Sequence, residues 1–246
     1  MEQPPCAATR STWHTMSDLR GEIGWLRKTL KSLDIAVAPA ALDAVPRLLD
    51  LLEKWNTAVR LVGHRDRAEW PELHVLDSLT PLLLVEAPAR LRPRRVVDIG
   101  AGAGFPSLPL ALACPAWHFT LVEANQKKAR FLRTAIAELG LANAKVEPRR
   151  AEDAPSPSGD WVLSRAVAAP DLWLALARPW TAPNGSILAM LGRDQPPDTT
   201  LHAMGEPLGL RLERVVRCVL PRSGAQRALA QWTLAEEVLA DGALSP

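Results

Sequence analysis

Apolar residues in the first part of the chain recur every three or four positions, whereas further on they come in short runs broken by charged turns. The first pattern marks amphipathic helices, whose buried face returns with a period of about 3.6 residues. One such stretch runs from Ser17 to Leu33. A second runs from Pro39 to about Arg60, where Leu42, Val45, Leu48, Leu49, Leu52 and Trp55 form a single stripe. A third, Pro71 to Glu86, carries Leu73, Leu76, Leu79, Leu83 and Leu84. No glycine- or serine-rich linker separates these helices from the rest of the chain, so they are expected to pack on it.

From Arg94 onward the pattern predicts strands over 95–99, 117–122, 144–148, 160–164 and 185–191, alternating with helices over 106–113, 126–139 and 168–180. Such alternation implies an α/β fold, a parallel sheet with right-handed crossovers and helices on both faces. Two later apolar runs, about 209–220 and 228–234, read as an antiparallel hairpin closing one edge. Residues 155–159 and 194–200 read as loops. The expected organisation is a disordered tail over 1–16, a helical cap over 17–90 and the α/β domain over 91–246.

Composition narrows this picture modestly. With 246 residues and 48% hydrophobic content the chain can bury a full core. The longest apolar runs fall short of the about 20 residues that a bilayer-spanning helix needs, and the start lacks the basic-then-apolar order of a signal peptide. No membrane association and a cytoplasmic location are therefore expected; Met16 is an alternative start. Cys6, Cys114 and Cys218 are far apart, and the five histidines show no ligand spacing, so no metal site is expected. A net charge of +2 leaves any nucleic-acid argument to local patches.

Residues Val96 to Pro106 carry the chemistry. A buried-strand run ends in Asp98-Ile99; Gly100, Gly102 and Gly104 come next at alternate positions, and Pro106 opens a helix. A triphosphate loop would need Gly-x-x-x-x-Gly-Lys-Ser/Thr, which is absent, and a dinucleotide loop would need glycine where Phe105 stands. The spacing resembles motif I of the class I S-adenosylmethionine-dependent methyltransferases, whose sheet is Rossmann-like. That cofactor has no phosphate to cradle. Asp98 is placed to meet its ammonium, and main-chain N–H groups near Pro106 its carboxylate. Glu123, ending the second strand, stands where a carboxylate accepts ribose hydroxyls. Ala151 and Glu152, after the third strand, border the adenine position in such folds.

The residues after the fourth strand bear on the acceptor. Enzymes that methylate exocyclic amines usually carry (Asp/Asn/Ser)-Pro-Pro-(Phe/Tyr/Trp) there; this chain has Ser164-Arg165-Ala166-Val167. Pyrimidine C5 chemistry needs a nearby cysteine, and neither Cys114 nor Cys218 is close in sequence. An acceptor that is already nucleophilic remains, such as guanine N7, which needs no general base. Arg165 is then a candidate to hold a guanine edge, the cofactor carboxylate or a phosphate.

Several segments together resemble the 16S ribosomal RNA guanine-N7 methyltransferases, the glucose-inhibited division protein B family. They are Trp55-Asn56 with Arg65-Asp66, His74 to Ser78, Asp98 to Pro106, Leu121-Val122-Glu123, Lys127 to Leu132, Arg150-Ala151-Glu152 and Ser164-Arg165-Ala166, in family order from about residue 45 to 193. The resemblance implies that Gly100, Phe105, Ala151, Glu152 and Arg165 contact the cofactor. By the same resemblance His74, Asp77 and Ser78 border the active site, His74 and Arg165 positioning the reactants. The family usually has glycine at Ser107 and Lys-Gly at Leu191-Gly192, and Tyr-Asn-Leu-Thr where this chain has Val59 to Val62. Lys127, Lys128, Arg130, Arg149 and Arg193, with Arg133, Arg165 and the Arg60, Arg65, Arg67 group, suit a basic rim for 16S rRNA or the small ribosomal subunit. Trp13, Trp25 and Trp70 are the tryptophans expected outside the core. A monomer is expected. The alternatives are a class I methyltransferase acting on another RNA or a small molecule, and a non-catalytic RNA- or ribosome-binding module.

Overall fold

The computed structural model describes residues 16–63, 67–154, 156–165 and 170–235. The expectations for 1–15, for Arg65-Asp66 and for Ala166 lie outside the described residues. A seven-stranded sheet runs in the order β3-β2-β1-β4-β5-β7-β6, from β1 (Arg94–Ile99), β2 (Trp117–Val122), β3 (Ala144–Glu147), β4 (Gly159–Arg165), β5 (Thr181–Leu191), β6 (Leu210–Val219) and β7 (Gln226–Leu234). Strands β1 to β5 are parallel, while β7 lies antiparallel between β5 and β6. The chain builds outward from β1 to β3, then returns to place β4 on the other side of β1. Strand order therefore reverses beside β1, where ligands of open α/β sheets sit.

Successive side chains of a strand point to opposite faces, and the core divides accordingly. Val96, Trp161, Leu163, Leu188 and Leu229 pack on one face with Leu26, Leu48, Leu52 and Leu76 of the N-terminal helices. Val97, Val162 and Ile187 pack on the other with Trp173, Trp180, Leu201 and Trp232. Helices α5 (Ser107–Ala113) and α6 (Gln126–Glu138) are the crossovers of the β1–β3 half. The Asn125 side chain caps α6 by accepting from the N–H groups of Lys127 and Lys128.

The N-terminal part begins with α1 (Met16–Ser32). The stretch read as one helix from Pro39 is two, α2 (Pro39–Asp43) and α3 (Val45–Asn56), because Pro46 has no N–H to continue the ladder. The stretch from Pro71 is not uniformly α-helical. A π turn (Pro71–Leu76) leads into α4 (Asp77–Leu79) and a 3-10 turn (Thr80–Leu84). The Ser78 hydroxyl donates to the His74 carbonyl and that of Thr80 to the Asp77 carbonyl, while Pro81 offers no donor. Trp70 is buried at 5% exposure, correcting its expected place outside the core. Helix α7 (Pro170–Ala177) ends in a 3-10 turn, and α8 (Asp198–Gly205) takes residues read as the end of a loop.

Candidate active site

The turn after β1 works only with glycine. Gly100, Gly102 and Gly104 have φ of 70°, 57° and 79°, the left-handed region that glycine enters without penalty. At Gly104 a Cβ would also lie 2.3 Å from Leu108 Cδ1. The turn is tied to β2: Gly102 N–H donates to Glu123 Oε2 at 2.9 Å, and Asn125 N–H to Oε1 at 2.7 Å. Each Glu123 oxygen thus accepts one main-chain N–H and keeps further acceptor capacity, as a site for two hydroxyls requires.

Asp98 lies under this turn at 1% exposure. Burial raises its carboxyl to about 7, against the nearby Ser107 hydroxyl and N–H and the charge of Arg165, which favour the ionised form. Neither Asp98 Oδ2 nor Ser107 Oγ has a hydrogen-bond partner among the described residues, and both are buried. A buried acceptor left open in this way fits a ligand cation.

Arg165, ending β4, joins the sheet to the N-terminal part. One of its amino groups donates to the Leu73 carbonyl at 3.0 Å and stands 3.4 Å from Asp77 Oδ2; the other is 3.4 Å from His74 Nδ1. Burial lowers the Arg165 pKa, opposed first by Asp77. The guanidinium carbon lies 5.4 Å from the centre of the Phe105 ring, on which His74 stacks at 5.0 Å and 22°. Asp77, 3% exposed, takes a second cation on its other oxygen: Arg227 Nε at 2.9 Å. Leu73, His74, Asp77, Arg165, Met190, Leu191, Gly192 and Arg227 line a cavity of about 300 Å³. Arg227 was absent from the sequence expectation. The antiparallel pairing of Leu191 with Ala228 delivers it, since the start of β7 must then lie beside the end of β5.

The remaining candidates lie around this centre. The Ala151 carbonyl accepts from the Trp180 indole at 2.7 Å, and Glu152 is exposed. Lys127, Arg130 and Arg133 are exposed and Lys128 half-buried on α6, and Arg193 is exposed after β5. Arg149 is drawn to Glu147 at 3.4 Å and to the Asp153 carbonyl. Arg67 does not join a basic rim, because it pairs with Asp50 and Glu53 of α3. Among the described residues there is no group of three or more His, Cys, Asp or Glu side chains arranged to hold a metal, and no helix long and apolar enough to cross a membrane.

Known proteins resemble this chain in fold and in sequence. The solved structure of a SAM-dependent methyltransferase from Aquifex aeolicus superposes with a TM-score of 0.51 at 17% identity, covering 74% of this chain and 97% of that one. At that identity it shows the fold alone. A Ribosomal RNA small subunit methyltransferase G from Anaeromyxobacter sp. (strain Fw109-5) is 39% identical over 211 residues, 84% of this chain and 95% of the relative. Its counterpart from Myxococcus xanthus is 39% identical over 204 residues, 81% and 91%. The family profile described as rRNA small subunit methyltransferase G matches residues 42–204. The chain belongs to the rRNA small subunit methyltransferase G family.

Proposed function

We propose that this protein transfers a methyl group from S-adenosyl-L-methionine to N7 of a guanine in 16S ribosomal RNA. It would do so as a cytoplasmic monomer in which the cap (17–90) and the α/β domain (91–246) build one site. The observation that carries this reading is the cluster of Arg165, Phe105, His74, Asp77 and Arg227 beside the glycine turn. That cluster offers cations and ring faces, yet no residue in it is set as a nucleophile. Burial pushes the Cys114 thiol up to about 12 and raises Cys218, which makes both poor nucleophiles.

The residues fit the cofactor. Asp98 would hold its ammonium and Glu123 its ribose hydroxyls. Gly100, Gly102, Gly104 and Phe105 let it approach the main chain, and the Ala151–Glu152 turn would border its adenine. When bound, the cofactor supplies an electrophilic methyl on a sulfonium. Guanine N7 carries an unprotonated lone pair at neutral pH, so no residue has to remove a proton beforehand. The protein's task is alignment: the His74 ring, backed by Phe105, offers a flat surface to the cavity, and Arg165 and Arg227 offer donors to a guanine edge or a phosphate. Lys127, Lys128, Arg130, Arg149 and Arg193 would hold the surrounding backbone.

The test supplies labelled cofactor with small-subunit rRNA, both naked and in particles. Reduction and aniline cleavage at 7-methylguanine then map the product. The expected result is one cleaved guanine; a methyl on another atom would overturn the N7 assignment. Methylation of low-mass acceptors with rRNA ignored would favour a small-molecule enzyme, and absence of cofactor binding a non-catalytic module.

A further inference from the structure

A second cavity, of about 610 Å³, opens at the opposite ends of the same strands. Arg94, Asp160, Trp161, Ser186, Arg214 and Gln231 line it, together with the turn after Leu84. Trp161, Ser186 and Gln231 are each four residues along their strands from Arg165, Met190 and Arg227 of the first cavity. An even separation keeps side chains on one face, at about 3.3 Å per residue. The two cavities therefore open on the same face of the sheet, roughly 13 Å apart along the strands. The 71–91 segment borders both, contributing His74 and Asp77 to one and Leu84 to Ala89 to the other.

The chemistry of this groove centres on Arg94. Its guanidinium carbon lies 4.4 Å from the centre of the Trp161 ring and 5.2 Å from that of Trp117. Both indoles are buried and meet edge to face at 75°, so one cation lies within reach of two rings. Among the described residues this guanidinium makes no hydrogen bond, and desolvation lowers its pKa despite the nearby charge of Asp160. Asp160 is already engaged by Arg95, accepting from its main-chain N–H at 2.7 Å and from its guanidinium at 2.6 Å. Arg214 spends Nε on Gln231 Oε1 at 3.0 Å and one amino group on the Leu84 carbonyl. The other amino group has no partner among the described residues. Arg92, next to the groove in sequence, is exposed. In the lining Glu86 and Asp160 stand against Arg94 and Arg214, and the charge of Asp160 is offset by Arg95, which lies outside the groove.

We propose that this groove is a second contact for the RNA acceptor, in which Arg94 and Arg214 hold a backbone phosphate away from the methyl-transfer cavity. The proposal rests on the reading of the protein as an RNA methyltransferase. Contact with the two indoles holds the Arg94 guanidinium in place, and its N–H groups, unengaged among the described residues, are available to an anion such as phosphate. A contact of this kind adds affinity and register without touching the base that reacts.

The experiment measures binding of the full chain to small-subunit rRNA over a range of salt, with methylation kinetics alongside. Arg94→Gln and Arg214→Gln are compared with wild type after thermal unfolding shows that each folds. Each variant should flatten the plot of log K against log salt by about 0.7–0.9, the effect of one lost phosphate contact. The KM for RNA should rise about threefold to tenfold, with kcat at saturating RNA and cofactor affinity unchanged. Arg94→Lys, which keeps the charge, should retain most of the slope. Wild-type slope and KM in both glutamine variants would overturn the proposal. So would a loss confined to kcat, and so would stabilisation by inorganic phosphate without any change in RNA binding, which would mark a free-anion site. If wild type itself neither binds nor methylates rRNA, the RNA reading falls and this proposal falls with it; normal wild-type activity with indifferent variants removes only the groove.

Discussion

Burial at the end of β1 makes Asp98 easier to protonate than an ordinary aspartate, with its carboxyl at about 7. Because the folded value lies above the unfolded one, the ligand-free protein should lose stability as pH rises from about 4 to 7. A bound ammonium would favour the carboxylate, so cofactor binding should release a proton below pH 7. Affinity should then strengthen by about tenfold per pH unit between 5.5 and 6.5. Calorimetry in buffers of different ionisation enthalpy reads both effects. Asp98→Asn should bind more weakly and lose this pH dependence, and an unchanged profile would remove Asp98 from the ammonium. Arg165 permits a second test. In Arg165→Ala, Asp77 keeps Arg227 as a partner, so folding should survive while turnover falls by about 10²–10³-fold. Arg165→Lys, without the planar fork, should recover little of it; wild-type turnover in the alanine variant would reduce Arg165 to an ion pair. The places of Asp98, Glu123 and Arg165 were legible because each lies at or beside the carboxyl end of a strand, and strand order sets their neighbours. Arg227 was not, since its position depends on the long-range pairing of Leu191 with Ala228.

At the scale of elements, the turn between β6 and β7 is anchored on the N-terminal part. Glu72, 2% exposed, accepts the main-chain N–H groups of Arg222 at 2.6 Å and Ser223 at 2.8 Å. The Arg222 side chain pairs with Glu22 at 2.6 Å and lies 3.6 Å from the centre of the Trp25 ring. A single segment therefore fixes the hairpin twice, by Glu72 at its turn and by Asp77 at Arg227. Glu72→Gln would face one of the two N–H donors with another donor, at a cost of about 1–3 kcal/mol. Urea unfolding should show that loss, and the Arg222 and Ser223 amides should exchange faster than those in the centre of β7. Equal exchange in variant and wild type would mean that Glu72 does not hold the turn. None of this was visible in the hydrophobic pattern, which registers a buried carboxylate as an interruption. The same pattern made the 71–86 segment a plain helix, because it counts apolar spacing and not the hydroxyls and proline that alter the ladder. Helix α8 was missed for a related reason. Pro197 and Asp198 were read as loop residues, although a proline and then an acid also open helices.

For the whole molecule, the decisive relation is that the N-terminal helices and one face of the sheet share a core. Leu26, Leu48 and Leu76 are buried in the same cluster as Val96, Leu163 and Leu188. The absence of a linker in the sequence pointed to this packing, but not to the sheet face or to the two carboxylates that carry the contact into the active site. If the cap contributes core as well as His74 and Asp77, neither part should unfold alone. Tryptophans report on both, with Trp25, Trp55 and Trp70 in the N-terminal part and Trp117, Trp161 and Trp232 in the sheet. Tryptophan fluorescence and far-ultraviolet circular dichroism should therefore give coincident unfolding curves. Cofactor at about 100 times its Kd should add about 2.7 kcal/mol. That would move the common midpoint upward by roughly 5–10 °C for a chain of this size. A cap that melted separately would split the curves, and added cofactor would then shift only the later transition. His74 and Asp77 would in that case leave Arg165 while the cofactor turn was still folded. A single transition moved as a whole by cofactor would instead mean that the acceptor side of the site persists as long as the cofactor side does.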